Sequence, residues 1–325
     1  MQQQTILRAF SEKERILAHE LLATRVAFMM GRKFEEDDWA SVYCAARGIE
    51  KTGWSNLNID ISYNNQGIEQ KMLCIRNLNI LSSCGCTFMH PSATRSIRIP
   101  SLNIDANEAM FDIITQYADF LRMRSERIKA TGHGEPDMRT GWLLWQVDLR
   151  EFLYFEEKTQ IPDPNDYFAV WEEKPSRGVR KGSKNLWVYE KETGKKRFSI
   201  TTSAGAKIQP YFDVPPIGSA NLYHFVVIGE HIEANGVRMW VTDSTYHNLF
   251  LLLEGDLSKE TLSRIILESA KELHNDSFAR TYNYEKAHEL IVSTDAYEAI
   301  QSVFPCVNDD SSMQLLVAYL LSKKQ

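Results

Sequence analysis

Residues 54–75 read WSNLNIDISYNNQGIEQKMLCI, two short alternating runs joined by Asn64-Asn65-Gln66-Gly67. In the first run Leu57, Ile59, Ile61 and Tyr63 alternate with Asn58, Asp60 and Ser62, the period of a strand that buries one face. The second run is apolar enough to be its partner, and the Asn/Gly joint supplies the turn. Closure symmetric about that joint, with Asn64 opposite Gly67 and Tyr63 opposite Ile68, is expected to set Ser62 against Glu69 and Asp60 against Lys71. All four side chains then share one face, unless a bulge at Gly67 turns the second strand over.

Opposed residues on neighbouring strands have Cβ atoms roughly 4.5–5.5 Å apart and diagonal ones about 7–8 Å. Asp60 and Glu69 can therefore hold one divalent cation between them, with Lys71 beside it. Phosphodiester hydrolysis uses such a set, because carboxylates fix Mg²⁺, the cation polarises the phosphate and acidifies a water, and a lysine positions the nucleophile. Asp60 followed after eight residues by Glu69-Gln70-Lys71 resembles the active-site signature of the PD-(D/E)XK nucleases, the superfamily that holds most type II restriction endonucleases. Ile59 stands where that signature has its proline, and the resemblance rests on residues 56–75 of 325.

The resemblance implies a mixed α/β, restriction-endonuclease-like fold, in which helices flank a central mixed sheet whose middle strands carry the metal ligands. It implies Mg²⁺-dependent, site-specific cleavage of double-stranded DNA, with Asp60 and Glu69 as ligands and Lys71 placing the attacking water. A homodimer with one site per strand and a cognate DNA methyltransferase are implied in the same way. Nucleases of this type often recruit a further acid from an upstream helix. Glu36, Asp38 and Glu50 are the candidates here, and nothing in the sequence selects among them.

Outward from the hairpin, Ser11 to Glu14 reads as a capping box opening a helix that carries Ile16, Leu17, Leu21, Leu22, Val26 and Met30 and stops near Gly31. A second helix is expected over residues 38–47 and a long one over 105–131, where Met110, Ile113, Ile114, Tyr117, Leu121 and Ile128 recur at helical spacing. Residues 140–155 supply further buried strand, with their tryptophans in the core. Residues 185–214 and 222–242 are β-rich, and helix returns over 258–273. Asp163-Pro164-Asn165 is the most plausible break. It divides a nuclease core (1–163) from a β-rich basic segment with C-terminal helices (164–325), which can equally be fused to the core as one unit.

With 43% hydrophobic and 25% charged residues the chain has apolar material for a sizeable core. No segment approaches 18 uninterrupted apolar residues and the start is not signal-like, so neither secretion nor membrane spanning is expected. Five scattered cysteines suit a reducing cytoplasm, and Cys84-Gly85-Cys86 with His90 has the wrong spacing for a zinc pair. The chain lacks G-x-S-x-G, G-x-x-x-x-G-K-[S/T], H-E-x-x-H and G-x-G-x-x-G, which ranks serine-hydrolase, P-loop, zincin and dinucleotide chemistry low.

The net charge of −6 conceals a segment, residues 174–207, with ten Lys/Arg against two acids. Phosphate binding depends on the footprint and not on the total charge. Arg177, Arg180, Lys181 and Lys184 form its most DNA-like part. Arg95 and Arg98 follow the hairpin in a small-residue loop, and Lys207 and Gln209 sit further on. These eight are the candidate nucleic-acid contacts, with a solvated surface as the bland alternative. A nucleic-acid-binding regulatory protein without cleavage activity is the competing reading of the whole chain.

Overall fold

In a computed structural model residues 61–74 of the quoted stretch form a hairpin, with a tighter turn than symmetry about four residues predicts, while Leu57 and Asn58 lie outside the described residues. Asn64 and Asn65 alone form the turn, both at positive φ (45° and 63°), as a two-residue loop matched to strand twist requires. Tyr63 consequently faces Gln66, Ser62 faces Gly67 and Ile61 faces Ile68. The expected pairing of Asp60 with Lys71 is thus displaced by two residues, and Asp60 comes alongside Glu69. The structure describes residues 6–29, 33–50, 59–76, 79–90, 96–99, 101–130, 134–174, 183–202, 206–271, 287–303 and 308–323.

Among these the chain runs β1 (Ile6–Leu7), α1 (Glu12–Ala27), α2 (Glu36–Arg47), β2 (Ile61–Tyr63), β3 (Gln66–Cys74), β4 (Thr87–Met89), β5 (Ser96–Ile97) and α3 (Ala106–Lys129). It continues through β6 (Asp137–Trp145), β7 (Glu151–Lys158), β8 (Tyr167–Lys174), β9 (Ser183–Glu190), β10 (Lys196–Thr201) and β11 (Ala206–Asp213). It ends with β12 (Tyr223–Val226), β13 (Glu230–Glu233), β14 (Gly236–Thr242), α4 (Asp243–Leu252), α5 (Lys259–Ser269), β15 (Ala287–Val292), α6 (Thr294–Val303) and α7 (Asp309–Lys323). The chain is therefore mixed α/β.

The helix starts are set by their caps. Ser11 and Glu14 exchange the reciprocal bonds of a capping box, and α1 ends at Ala27, short of the expected Gly31. Helix α2 starts two residues before Asp38, because Asp38 reaches back to the backbone N–H of Glu35 (2.9 Å). It stops where Gly48 takes a left-handed φ of 64°. Asp105 caps α3 and Ser258 caps α5.

The first sheet has the order β1-β7-β6-β3-β2, with β12 also on β7. Strand β3 pairs in parallel with β6 over nine residues, from Gln66 with Asp137 to Cys74 with Trp145. Parallel pairing demands a crossover, and α3 lies within it. The two faces of β3 differ in cover. Ile68, Leu143, Trp145 and Tyr154 point into a core closed by α1 and α2, while Gly67, Glu69 and Lys71 point the other way, toward α3. A Cβ on Gly67 would meet Ile128 Cγ1 at 2.7 Å, so glycine here lets helix and strand approach closely.

The second sheet, β4-β11-β10-β9-β8 with β5 on β11, packs Ala169, Leu186, Val188, Ile200 and Ile208 against the N-terminal half of the same α3 stripe, at Met110, Ile113 and Ile114. Phe212 of β11 stacks on Trp142 of β6 at 3.9 Å, sealing the sheets together. Trp142 and Trp145 are both core residues, 4% and 5% exposed. Strand pairing crosses the expected break at 163/164 in both directions: β12 joins the first sheet, and β4 and β5 join the second.

A third sheet, β13-β14-β15, carries α4 to α7 around its own core. It meets the rest through Trp240 and Ala287, which join the core beneath α1, and through buried polar bonds. Asn308 donates to the carbonyls of Val26 and Ala27 (3.1 and 3.2 Å). Asp309, 1% exposed, accepts from the Gly229 N–H at 3.1 Å and the Tyr297 hydroxyl at 3.2 Å. Burial pushes the Asp309 carboxyl up from 3.8 to about 7. A carboxyl raised on folding contributes stability that is complete below the unfolded value and is lost as pH rises through the folded one. We expect wild-type stability to fall between pH 5 and pH 7 relative to Asp309→Asn, with a slope on the order of 1 kcal/mol per pH unit. Urea denaturation of the pair at both pH values checks this, and parallel curves would show Asp309 already ionised at pH 5.

Candidate active site

The hairpin register and the crossover helix together build an acidic and basic cluster on one face of β3. Glu69, with its side chain 18% exposed, holds a cation on each oxygen: Lys71 Nζ at 2.7 Å from Oε1 and Arg124 Nη1 at 2.7 Å from Oε2. Asp60 lies just outside the last ladder pair of β2, where its Oδ2 accepts the backbone N–H of Gln70 at 2.7 Å. That bond extends the hairpin by one rung and fixes the Asp60 carboxyl beside Glu69.

The two carboxylates are driven apart electrostatically. Burial pushes Asp60 up to about 7, and the negative charge of Glu69 adds to it against the pull of Lys71 and the Gln70 N–H. Burial also pushes Glu69 upward, but Lys71 and Arg124 overcome it and hold that carboxyl below the usual range. Pairs whose environments separate them in this way mark sites built for chemistry.

Of the three candidate upstream acids, Glu36, exposed at the start of α2, is the one whose charge couples to Asp60, Glu69 and Lys71. Burial raises its carboxyl, Lys71 opposes that and Glu69 adds to it, and its charge in turn acts on Asp60. Asp38 is 5% exposed and spent in the α2 capping box, with Arg25 at 3.7 Å. Glu50 is exposed just past the C-cap of α2.

Sequence reasoning missed Arg124. A signal was present: with Tyr117, Leu121 and Ile128, position 124 continues the stripe by which α3 packs inward. An arginine in such a stripe requires a buried acceptor. Its guanidinium also covers the Phe120 ring at 4.4 Å.

Gln70, fully buried, anchors the opposite face of β3. Its Nε2 donates to the Tyr154 hydroxyl (3.1 Å), which donates to Glu156 (2.8 Å); Tyr43 also donates to Glu156 (2.7 Å) and Arg139 pairs with it at 3.0 Å. A Cβ at Gly141 would collide with Gln70 and Tyr154. The strand is thus held from behind, while Glu69 and Lys71 face α3.

The four described nucleic-acid contact candidates, Arg98, Lys184, Lys207 and Gln209, do not converge on this site. Arg95, Arg177, Arg180 and Lys181 lie outside the described residues. Arg98 is exposed, its backbone exchanges bonds with Gln116 of α3 (3.2 and 3.0 Å), and it borders a cavity of about 300 Å³ lined also by Tyr117, Phe120 and Met123. Lys184 packs inward, donating to the Leu102 carbonyl at 2.8 Å and covering Trp171. Lys207 and Gln209 lie on the outer face of β11.

In donor chemistry Asp60, Glu69 and Glu36 fit a hard divalent cation, since all offer carboxylate oxygen and Asp60 and Glu69 repel each other without one. Among the described residues, however, no three Asp, Glu, His or Cys side chains are gathered closely enough to form a complete ligand set. No protein-family model matches the chain, and no curated protein or solved structure is significantly similar to it.

The clamp on Glu69 can be measured directly. In a double-mutant cycle of Glu69→Gln with Arg124→Ala, urea denaturation should give a coupling energy of about 1–3 kcal/mol. Additive effects would show that the guanidinium does not hold the carboxylate.

Proposed function

We propose that this chain is a Mg²⁺-dependent nuclease that hydrolyses phosphodiester bonds of double-stranded DNA at specific sites, on a restriction-endonuclease-like scaffold. The observation that carries the reading is the convergence of Asp60, Glu69 and Lys71 beside one another on adjacent strands, with the Asp60 carboxyl raised in part by Glu69. The scaffold is compatible with it: a helix, a hairpin, a crossover helix and a parallel strand follow one another, with the acidic residues on the hairpin.

Asp60 and Glu69 would hold the cation, with Glu36 as the third acid. A cation there supplies charge neutralisation at the scissile phosphate and a more acidic attacking water. The chain's own groups do the rest. Lys71 Nζ, 2.7 Å from Glu69, orients the nucleophile by donating to its oxygen. Arg124, on release from Glu69, would offer a planar donor fork suited to a phosphate oxygen. The Gln70 amide keeps Asp60 in place, and the Tyr154–Glu156 network keeps β3 from shifting. A homodimer supplies one site per DNA strand.

One observation favours the second reading, a nucleic-acid-binding protein without cleavage activity. Both oxygens of Glu69 are taken by Lys71 and Arg124, so ligation of a metal requires one of these contacts to open.

Incubation of long unmethylated DNAs with the purified protein, in Mg²⁺ and in EDTA, separates the two. Discrete Mg²⁺-dependent fragments sharing a terminal sequence are expected. Lys71→Ala should lower the cleavage rate about 10²–10⁴-fold and leave DNA affinity in EDTA within a few-fold. Undiminished cutting by this variant would remove Lys71 from the mechanism, and binding without cutting by the wild type would favour the second reading.

A further inference from the structure

The second sheet has an inner face spent on α3 and an outer face of a different character. Alternation sends Phe168 and Val170 of β8 outward, 37% and 42% exposed, opposite Tyr189 and Trp187 of β9. None of these four, nor Tyr211 of β11, belongs to a core cluster among the described residues. Phe168 and Tyr189 stack nearly parallel, centroids 5.3 Å apart at 16°. Lys196 of β10 stands between neighbouring strands, its Nζ 3.2 Å from the Trp187 ring centroid and 5.4 Å from that of Tyr211. Beyond Trp187 the same face carries Ser199 and Gln209 in register, and one pair further Thr201 and exposed Lys207.

We propose that this outer face of β8 to β11 is a stacking platform for single-stranded nucleic acid. Aromatic faces ordinarily leave water for the core; here they lie on the solvent side of a sheet whose other side is already filled. A protein partner would use such rings too, but the charge favours a polyanion. Among the described residues this face carries Lys196 and exposed Lys207 beside Glu172, which follows Val170 on the outer side of β8. The acids at its border, Glu190 and Asp213, are bridged by Arg197 at 3.4 and 3.0 Å.

Rings and ammonium groups interleaved at strand spacing suit bases on the rings and phosphates on the lysines. A duplex keeps its base faces stacked inside, so only an unpaired strand can use the rings. The lysine over Trp187 marks the place of a base, which enters as the ammonium turns to a phosphate. The platform lies on the far side of the second sheet from α3 and Glu69, and it stands whether or not the hairpin site cleaves.

The test uses the full chain in EDTA, so that cleavage plays no part, and reads fluorescence anisotropy of a labelled oligothymidylate of about twelve nucleotides. The wild type should bind it more tightly than a duplex of equal length. Trp187→Ala should weaken binding about tenfold or more, while Trp187→Phe retains most of it. Lys196→Gln should reduce the slope of log affinity against log salt by about 0.7. If Trp187→Ala alters the circular dichroism spectrum, Phe168→Ala, at an exposed position, replaces it with the same expectation. Tighter binding of the matching RNA supports the platform and assigns it to RNA. Failure to bind any single strand, unchanged affinity in a folded ring variant, or equal loss of duplex binding overturns the proposal. So does sedimentation showing that Trp187→Ala abolishes self-association without changing oligonucleotide affinity, which would make the face a contact between copies.

Discussion

The contact between Glu69 and Arg124 is the point at which the parts of this molecule depend on one another. Glu69 lies on β3, at the centre of the first sheet's parallel pairing, and Arg124 on α3, whose N-terminal half carries the second sheet. A half-buried carboxylate between an ammonium and a guanidinium contributes little net stability, because desolvation offsets most of the attraction. Its removal on one side only leaves an uncompensated charge. Its value is in register: α3 can sit at one height along β3 only, and Gly67 and Ile128 fix how close it comes. The same contact keeps one carboxyl ionised while its neighbour Asp60 is pushed toward neutrality.

Strand β3 is divided between structure and chemistry by the simplest property of a strand, the alternation of its side chains. Ile68, Gln70 and Met72 are held from behind by α1, α2 and the Tyr43, Tyr154 and Glu156 network. Glu69 and Lys71 are left to the face toward α3. Rigid support on one face allows like charges to be held together on the other, where a mobile strand would relax them apart. Mutations that disturb the Gln70 network would therefore reach the Asp60, Glu69 and Lys71 cluster without touching it.

Burial elsewhere follows the same economy. The C-terminal sheet is joined to the first through the start of α7, where Asn308 and Asp309 bind backbone groups of α1 and of the segment after β12. Those backbone groups sit away from water and would be orphaned without the side chains that meet them. These bonds stand beside apolar contacts of Trp240 and Ala287, which join the core of the first sheet.

The hairpin, the capped helices and the strands of residues 140–155 and 185–214 were legible in the sequence, because alternation, helical spacing and caps are local properties. The same is true of the residue types of the site: Asp60, Glu69 and Lys71 were visible from their place within an apolar alternation. The pairing register was not, since a turn of two asparagines and a symmetric turn of four residues differ only in backbone energies that neighbouring packing adjusts. Glu36 could not be chosen over Asp38 and Glu50, nor could Lys184 be separated from Lys207, because the choice depends on which side chains are spent on caps, carbonyls and rings. Arg124 lies 55 residues from Glu69, and the aromatic face of the second sheet exists only once four strands pair. Local sequence determined the elements and their chemistry; the tertiary structure decided which charges meet and which faces stay open, because both follow from long-range packing that no single stretch encodes.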